Sequence, residues 1–292
     1  MNILITGAGG QLGYDLMRVM GPLHRIIGVA RASLDVTQEQ AVLDLLLAQR
    51  PDVVIHAAAF TNVDGAEREK EAAFQVNAMG ALHVAKACER IGAKLVYVST
   101  DYVFDGTKLS PYDEQDIPNP LSVYGHSKLL GEKFVSMTCA KHFIVRTSWL
   151  YGTKGTNFVT KVLEKARRDQ AISIVDDQFG SPTYCLDLAL FMRDLIATDR
   201  YGLYHASNEG ICSRYEFAEH ILTTAGLLSQ VTLKPVPTDA FLTSPAARPM
   251  YSAFAQKAMC EKGFTPMRDW RSALDFFLQV DYFETAILTK IQ

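Results

Sequence analysis

A glycine-rich segment directly after the first apolar run constrains this chain more than any other feature. Gly7-Ala8-Gly9-Gly10-Gln11-Leu12-Gly13 follows Ile3–Ile5 and opens a helical pattern over residues 11–20. Gly7 permits a tight turn, Gly10 lets a phosphate approach the backbone, and Gly13 lets the helix pack closely on the strand. Backbone amides and the positive end of the helix dipole then converge on one point. The segment predicts a diphosphate site for a dinucleotide; a turn that binds nothing is the alternative.

The first half of the chain alternates short β-branched runs with longer helical patterns. The predicted strands are residues 3–5, 25–29, 52–55, 94–98 and 142–146, and the predicted helices are 11–20, 38–49, 71–91 and 123–138. Such alternation is typical of βαβ units with a parallel sheet covered on both faces. The predicted fold class is therefore α/β, with a Rossmann-type doubly wound parallel sheet.

After Tyr151 the alternation fades, and Gly and Pro separate shorter elements. We predict a dinucleotide-binding domain over residues 1–151 and a smaller C-terminal α/β substrate-binding lobe over 152–292. Later strands or helices can still join the first domain. The predicted elements of the second half are helices 158–168, 186–196, 215–225 and 270–277 and strands 172–174, 203–205 and 231–233.

Charge and cysteine content exclude several classes of protein. Lys and Arg number 29 against 32 Asp and Glu, a net charge of −3 without a basic block, so nucleic acid is not an expected partner. The five cysteines stand singly and match no disulfide framework or metal spacing. The chain opens on a strand-like run and has no apolar stretch long enough for a bilayer span. We expect a cytoplasmic protein without a membrane partner.

Arg31 follows the second predicted strand, where dinucleotide sites that prefer NAD carry an acidic residue. A carboxylate would repel a ribose 2′-phosphate, whereas a guanidinium pairs with it. The position favours NADPH, with NADH as a second possible cofactor. A solvated arginine at the strand end is the alternative.

Tyr124 and Lys128 form a Y-x-x-x-K pair near the start of a predicted helix. Residues four apart share one helix face, so both side chains can reach one substrate atom. We expect the ammonium to favour the phenolate, which would bring the tyrosine pKa into range for proton transfer. The pair alone is a weak signal, but behind a dinucleotide loop it predicts catalysis.

Thr100 and Asp101 end the strand over residues 94–98, and strand ends line the ligand crevice of such sheets. The Thr100 hydroxyl can donate to an oxygen on which negative charge develops. Asp101 either tunes the tyrosine, accepts from a sugar hydroxyl, or caps the following turn.

Several longer motifs carry a resemblance to a known family. They are Ala57-Ala58-Ala59-Phe60-Thr61-Asn62-Val63-Asp64, Ser99-Thr100-Asp101-Tyr102-Val103-Phe104-Asp105-Gly106, Tyr124–Lys128, Arg146-Thr147-Ser148-Trp149-Leu150-Tyr151-Gly152 and Arg248-Pro249 with Ser252. With the glycine segment, they resemble the extended short-chain dehydrogenase/reductase superfamily and, within it, the dTDP-4-dehydrorhamnose reductase family. The resemblance covers nearly the whole chain.

That resemblance implies an NAD(P)H-dependent oxidoreductase that reduces the C4 keto group of dTDP-4-dehydro-6-deoxy-L-mannose to give dTDP-L-rhamnose. It implies Tyr124 as proton donor, assisted by Lys128 and Thr100. The implied cofactor contacts are Gly7, Gly10, Gln11, Leu12, Gly13, Arg31, Asp35, Val36, Ala58, Ala59, Phe60, Val98, Tyr124 and Lys128. The implied contacts to the nucleotide-sugar substrate are Thr100, Asp101, Trp149 and Arg248, the last as a candidate for the nucleotide diphosphate.

Other interpretations stay open. Trp149 can be a core aromatic and Arg248 a loop ion pair. The chain can be another nucleotide-sugar reductase or epimerase of this fold; a dehydratase is less favoured, because Tyr102 stands where an acidic partner is common. A non-catalytic regulatory subunit, like that of methionine adenosyltransferase, is an alternative from another class.

A metal and an assembly are the least determined features. Some relatives use a divalent ion such as Mg²⁺ at a dimer contact, and here Asp15 and Asp187 are the acidic residues placed to match. The seven histidines show no metal-ligand spacing. We therefore assign no metal ligand, leave Mg²⁺ open, and expect a monomer or a homodimer.

Overall fold

Six parallel strands form the central sheet of the computed structural model, which describes residues 1–241 and 244–282. The strands are β1 (Asn2–Thr6), β2 (Arg25–Val29), β3 (Val53–His56), β4 (Lys94–Thr100), β5 (His142–Thr147) and, much later in the chain, β10 (Gly202–His205). Their order is β10-β5-β4-β3-β1-β2, and every neighbouring pair is parallel. The order changes direction between β1 and β3, which opens a crevice at the strand ends.

Helices cover both faces of this sheet, as predicted from the alternating pattern. The helices of the first half are α1 (Gln11–Met20), α2 (Glu39–Gln49), α3 (Val63–Arg68), α4 (Lys70–Phe74), α5 (Gly80–Ile91) and α6 (Val123–Thr138). On one face α1 packs with α8 (Cys185–Ile196) around Ile5, Leu16 and Leu188. On the other, α2, α5 and α6 enclose Leu46, Val84 and Leu95. Burial of each such aliphatic side chain contributes roughly 1.5–3 kcal/mol to the stability of the folded state. The predicted fold class is confirmed.

The remaining elements build a smaller lobe with its own core. The helices are α7 (Phe158–Arg168), α9 (Arg214–Thr224) and α11 (Trp270–Phe276), and the strands are β6 (Leu150–Tyr151), β7 (Ala171–Val175), β8 (Phe179–Gly180), β9 (Thr183–Tyr184), β11 (Cys212–Ser213) and β12 (Thr232–Val236). A further helix, α10 (Lys257–Glu261), packs instead on β10 and buries Met259 in the core of the central sheet. The strands form two-stranded pairs, β6 with β9, β7 with β12 and β8 with β11. Tyr184, Phe217 and Trp270 are fully buried between them.

The predicted boundary after residue 151 stays a prediction, although three later elements, α8, β10 and α10, join the first domain's sheet and helix layers. Residues 242–243 and 283–292 of the predicted lobe lie outside the described residues. Within the described part of the chain, no helix combines the length and the apolar character needed to cross a bilayer.

One predicted helix, over residues 71–91, is interrupted by a π-helical turn over Gln75–Met79. The turn lets the Asn77 side chain reach the loop after β3: its Oδ1 accepts from the Phe60 amide at 2.8 Å and its Nδ2 donates to the Phe60 carbonyl at 3.1 Å. The Asn77 carbonyl accepts from the Tyr97 hydroxyl at 3.0 Å. Side-chain and tertiary partners thus replace regular helical bonds, and they fix the loop after β3 at the edge of the crevice.

Candidate active site

One cleft of about 800 Å³ runs along the carboxyl ends of β1 to β5. Of the predicted site residues, it is lined by Gly7, Gly10, Gln11, Leu12, Gly13, Arg31, Asp35, Val36, Ala58, Ala59, Phe60, Val98, Thr100, Asp101, Tyr124, Lys128 and Trp149. Arg248 does not line it. The fold therefore brings together cofactor and catalytic candidates that are more than a hundred residues apart in sequence.

The glycine segment packs closely against the backbone of the loop after β3. Gly7 has a φ of +71°, and a Cβ there would lie 2.7 Å from the Ala58 nitrogen and 2.8 Å from the Ala57 carbonyl carbon. The Gly10 amide donates to the Gly7 carbonyl at 2.9 Å, which closes the turn before α1. No side chain caps the start of α1, so its first amides are available to an anion.

At the end of β2 a cation and a carboxylate both line the cleft. Asp35 accepts from the backbone and hydroxyl of Thr37 at 3.0 and 2.8 Å, and these bonds lower the pKa of its carboxyl, with a smaller contribution from Arg31. Arg31 therefore lies close enough to Asp35 to interact with it electrostatically. A 2′-phosphate and a 2′-hydroxyl would each meet a suitable group here.

The catalytic candidates are placed by α6. Ser122 caps this helix by accepting from the Gly125 amide at 3.2 Å, so Tyr124 and Lys128 stand one turn apart at its start. The Lys128 ammonium donates to the Val98 carbonyl at 2.6 Å and lies 4.1 Å from the centroid of the Tyr97 ring. The helix and β4 thus hold the ammonium rigidly beneath the cleft.

Burial dominates the electrostatics of this pair. Removal from water raises the pKa of Tyr124 well above its ordinary value, and a hydrogen bond with Thr100 opposes the rise. Removal from water also lowers the pKa of Lys128 to about 7, opposed by the negative charge of Glu132. In this structure the pKa of Tyr124 is raised rather than lowered, because the phenol is partly buried and the ammonium is directed at the Val98 carbonyl. The expected action of the ammonium on the phenol stays a prediction.

Thr100, rather than Asp101, caps the turn that follows β4. The Thr100 oxygen accepts from the Tyr102 amide at 3.2 Å and so caps the short turn Asp101–Val103, while its hydroxyl donates to Asp101 at 3.1 Å. Asp101 is buried and accepts from the Ser252 hydroxyl at 2.7 Å, a bond between the two lobes. Burial raises the pKa of the Asp101 carboxyl. Capping falls to Thr100, so Asp101 remains available to a hydroxyl.

Trp149 lines the cleft and also touches the core of the smaller lobe, so the two interpretations of it are not exclusive. Its backbone has a φ of +47°, a strained conformation for a bulky residue. The indole lies against Gly180, where a Cβ would come within 2.6 Å of the ring. Arg214 covers the ring face, 3.5 Å from its centroid.

Two arginines of the smaller lobe, Arg214 and Arg248, differ in position. Arg248 donates to Asp64 at 2.9 Å and also bonds Ser244, which is the loop ion pair that the sequence left open. Arg214 lines the cleft, and sequence analysis missed it. The only local signal was the capping box of Ser213 and Glu216, which starts α9 at Arg214.

The carboxylates considered for a divalent ion do not fit one. Asp187 accepts from Arg268 at 2.8 and 2.9 Å and from Asn208 at 2.7 Å, so its oxygens are occupied. Asp15 is buried with its nearest cation, Arg18, 3.8 Å away. The described residues include no group of three or more His, Cys, Asp or Glu side chains able to hold a metal ion.

Comparison with known proteins agrees with this geometry. The family model for the RmlD substrate binding domain matches residues 1–282. Spore coat polysaccharide biosynthesis protein SpsK of Bacillus subtilis is 41% identical over 278 residues, 95% of this chain and 96% of that protein. A dTDP-4-dehydrorhamnose reductase of Mycobacterium tuberculosis is 40% identical over 279 residues, 93% of this chain and 90% of that protein.

A solved structure extends the agreement to three dimensions. The crystal structure of dTDP-4-dehydrorhamnose reductase from Bacillus anthracis in complex with NADP is 44% identical, with a TM-score of 0.92 and coverage of 95% of this chain and 98% of that chain. The resemblance read from the sequence motifs is confirmed. A family model that spans residues 1–282, and relatives of about this identity along nearly their whole length, show that the chain belongs to the RmlD substrate-binding domain family.

Proposed function

We propose that this protein is a reductase that uses NADPH to reduce the C4 keto group of dTDP-4-dehydrorhamnose, giving dTDP-L-rhamnose. The observation that carries the proposal is the single cleft in which a glycine segment shaped for a diphosphate meets Tyr124, Lys128 and Thr100. The names of the similar reductases, and the NADP complex of one of them, support the same reaction class.

The cofactor fits the residues at one side of the cleft. The tight left-handed turn at Gly7, which packs on the backbone of Ala57 and Ala58, and the uncapped amides of α1 suit a diphosphate. Arg31 would pair with a 2′-phosphate, which is the reason for proposing NADPH over NADH. When bound, the reduced nicotinamide supplies the hydride. Val98 would lie near this ring, and Arg31, Asp35 and Val36 would contact the adenine and its ribose at the other end of the cofactor.

The protein's own side chains supply the proton and the hydrogen bonds that polarise the keto group of the substrate. The raised pKa keeps the Tyr124 phenol protonated near neutral pH, so it can donate to the oxygen of the keto group. The Thr100 hydroxyl, which donates to Asp101 in this structure, can rotate to donate to the same oxygen. The Lys128 ammonium, fixed on the Val98 carbonyl, stabilises the negative charge that the phenol acquires when it gives up its proton.

The substrate contacts follow from the same wall of the cleft. Asp101 can accept from a sugar hydroxyl, and the indole of Trp149 offers an apolar face to a deoxysugar. Arg248 stays a prediction for the substrate, since its guanidinium is bound to Asp64. The cytoplasmic location and the monomeric or homodimeric state also stay predictions.

The test is a spectrophotometric assay at 340 nm with dTDP-4-dehydrorhamnose and either NADPH or NADH. Tyr124→Phe should lower kcat by roughly 10²- to 10⁴-fold and leave NADPH binding intact. Tyr112→Phe is the matched control, because Tyr112 is also shielded from water and its hydroxyl donates to Asp105 at 3.0 Å, but it does not line the cleft.

Three results would contradict the proposal. Near wild-type turnover of Tyr124→Phe would remove the assigned proton donor. Conversion of a nucleotide sugar without net oxidation of NADPH would favour an epimerase. A protein without turnover that forms a stable complex with a methionine adenosyltransferase would favour the regulatory subunit.

A further inference from the structure

Arg214 is a cation in the cleft without a matching anion. It opens helix α9, and its guanidinium lies 3.5 Å from the centroid of Trp149 and 5.3 Å from that of Phe158. The side chain is partly buried and lines the cleft. Across residues 1–241 and 244–282 we find no ion pair and no side-chain hydrogen bond from its guanidinium.

Other shielded arginines of the chain are neutralised directly. Arg146 bonds Glu132, Arg268 bonds Asp187, and Arg248 bonds Asp64, each with at least one nitrogen–oxygen distance of 2.9 Å or less. The acidic groups near Arg214 are Tyr102, Asp101 and Cys212, which act on it only through space, and the nearby cation Arg248 opposes them. Asp101 already accepts from Ser252 and Thr100, and burial disfavours its charged form.

A partly buried cation without a partner lowers the stability of the folded protein, and a ligand of opposite charge can offset that loss. Withdrawal from water is the largest influence on Arg214 and lowers its pKa. The stacking on Trp149 fixes the plane of the guanidinium and leaves its N–H groups to bond in that plane. A planar fork of donors is suited to the paired oxygens of a phosphate. The strained backbone of Trp149 indicates that this stack is held in place by the fold.

We propose that Arg214 binds the diphosphate of the nucleotide-sugar substrate. This rests on the proposed function, and deepens it by naming the cation that recognises the substrate's charge. The glycine segment already provides amides for one diphosphate, that of the cofactor. Arg214 lies beside Trp149 and Asp101, two of the residues predicted to contact the substrate, and its charge matches a second diphosphate there.

The experiment measures binding of dTDP and of uncharged thymidine, by titration calorimetry, to the enzyme saturated with NADP. Arg214→Met should weaken dTDP binding by about 10- to 100-fold, the range for loss of a charged hydrogen bond, and leave thymidine and NADPH binding unchanged. Arg214→Lys should fall between, because it retains the charge without the fork. Arg271→Met is the matched control in the same lobe, because its guanidinium also lies over an indole, 4.3 Å from the centroid of Trp270, but does not line the cleft. Arg248→Met tests the other candidate for the diphosphate.

Each other outcome overturns the proposal. Wild-type affinity of Arg214→Met for dTDP would show that the guanidinium does not meet the diphosphate. A loss confined to Arg248→Met would assign the diphosphate to Arg248. A loss confined to NADPH would assign Arg214 to the cofactor, and an equal loss of thymidine and dTDP would make its role structural. If wild-type enzyme neither binds dTDP nor turns over the keto sugar, the proposed function itself fails.

If Arg214→Met does not fold, the proposal is tested with Arg214→Lys and with the salt dependence of dTDP binding to the wild-type enzyme. Binding of dTDP should weaken steeply with salt while thymidine binding stays constant. An unchanged dTDP affinity in Arg214→Lys, together with a flat salt profile, would overturn the proposal as well.

Discussion

The buried ion pair of Glu132 and Arg146 joins helix α6 to the sheet beneath the catalytic residues. Glu132 accepts from Arg146 at 2.7 and 2.9 Å, and the two side chains are 6% and 3% exposed. The carboxylate also accepts from Ser99, next to Thr100. The remaining Arg146 nitrogen faces His205 at 3.3 Å, and burial lowers the pKa of that imidazole, which keeps it neutral.

We predict that Glu132→Gln lowers the free energy of unfolding by about 3–5 kcal/mol, because the arginine would stay buried without a counter-charge. That is a large part of the roughly 5–15 kcal/mol that holds a typical domain folded. Urea unfolding measures it. At a denaturant slope of about 3 kcal/mol per M, the midpoint should fall by about 1–2 M.

A matched control separates the effect of burial on stability from the effect of ion pairing alone. Glu39 pairs with Lys86 at a similar distance, 2.8 Å, but the two side chains are 53% and 50% exposed. Glu39→Gln should therefore barely move the midpoint. Replacing both buried partners, in Glu132→Leu with Arg146→Met, should recover much of the loss. The reasoning is refuted if Glu132→Gln costs no more than Glu39→Gln, or if the double variant loses the sum of the two single losses.

Three further predictions concern the cleft and its surroundings. Since the pKa of Lys128 is lowered to about 7, its ammonium is lost as pH rises through that value, so kcat/KM for NADPH should be level below about pH 7 and fall above it; a level profile to pH 9 would contradict the assigned role of the ammonium. Gly7→Ala should abolish NADPH binding, measured by fluorescence titration, because its Cβ would meet backbone at 2.7 Å in a left-handed conformation; wild-type affinity would show that the loop is not the diphosphate site. Burial raises the pKa of Asp15 to about 6, so the folded state binds more protons than the unfolded chain between about pH 4 and 6 and loses stability as pH rises through that window. Asp15→Asn should accordingly stabilise the protein by up to about 3 kcal/mol at pH 7 and much less at pH 4, measured by urea unfolding; equal effects at both pH values would contradict this explanation.

Local chemistry explains which features could be predicted from the sequence. The turn at Gly7 and the one-turn spacing of Tyr124 and Lys128 depend only on neighbouring residues, so the chain specifies them before it folds. The alternation of apolar runs with helical patterns likewise predicts parallel strands. Strands buried on both faces are rich in β-branched residues, and parallel neighbours are connected by crossover helices. Helix α6, predicted over residues 123–138, has those bounds in the structure.

Contacts between distant segments decided the rest. The direction of the Lys128 ammonium depends on Val98, thirty residues earlier, and the bond from Ser252 to Asp101 spans 151 residues. Arg214 and Arg248 look alike in sequence, yet one faces the cleft and the other binds Asp64. The sequence alone determined which chemical groups the protein possesses and their order along each element. Long-range packing decides which of these groups face one another and how deeply each is buried. The resulting distances and desolvation energies set the pKa values and the charges of the groups in the site.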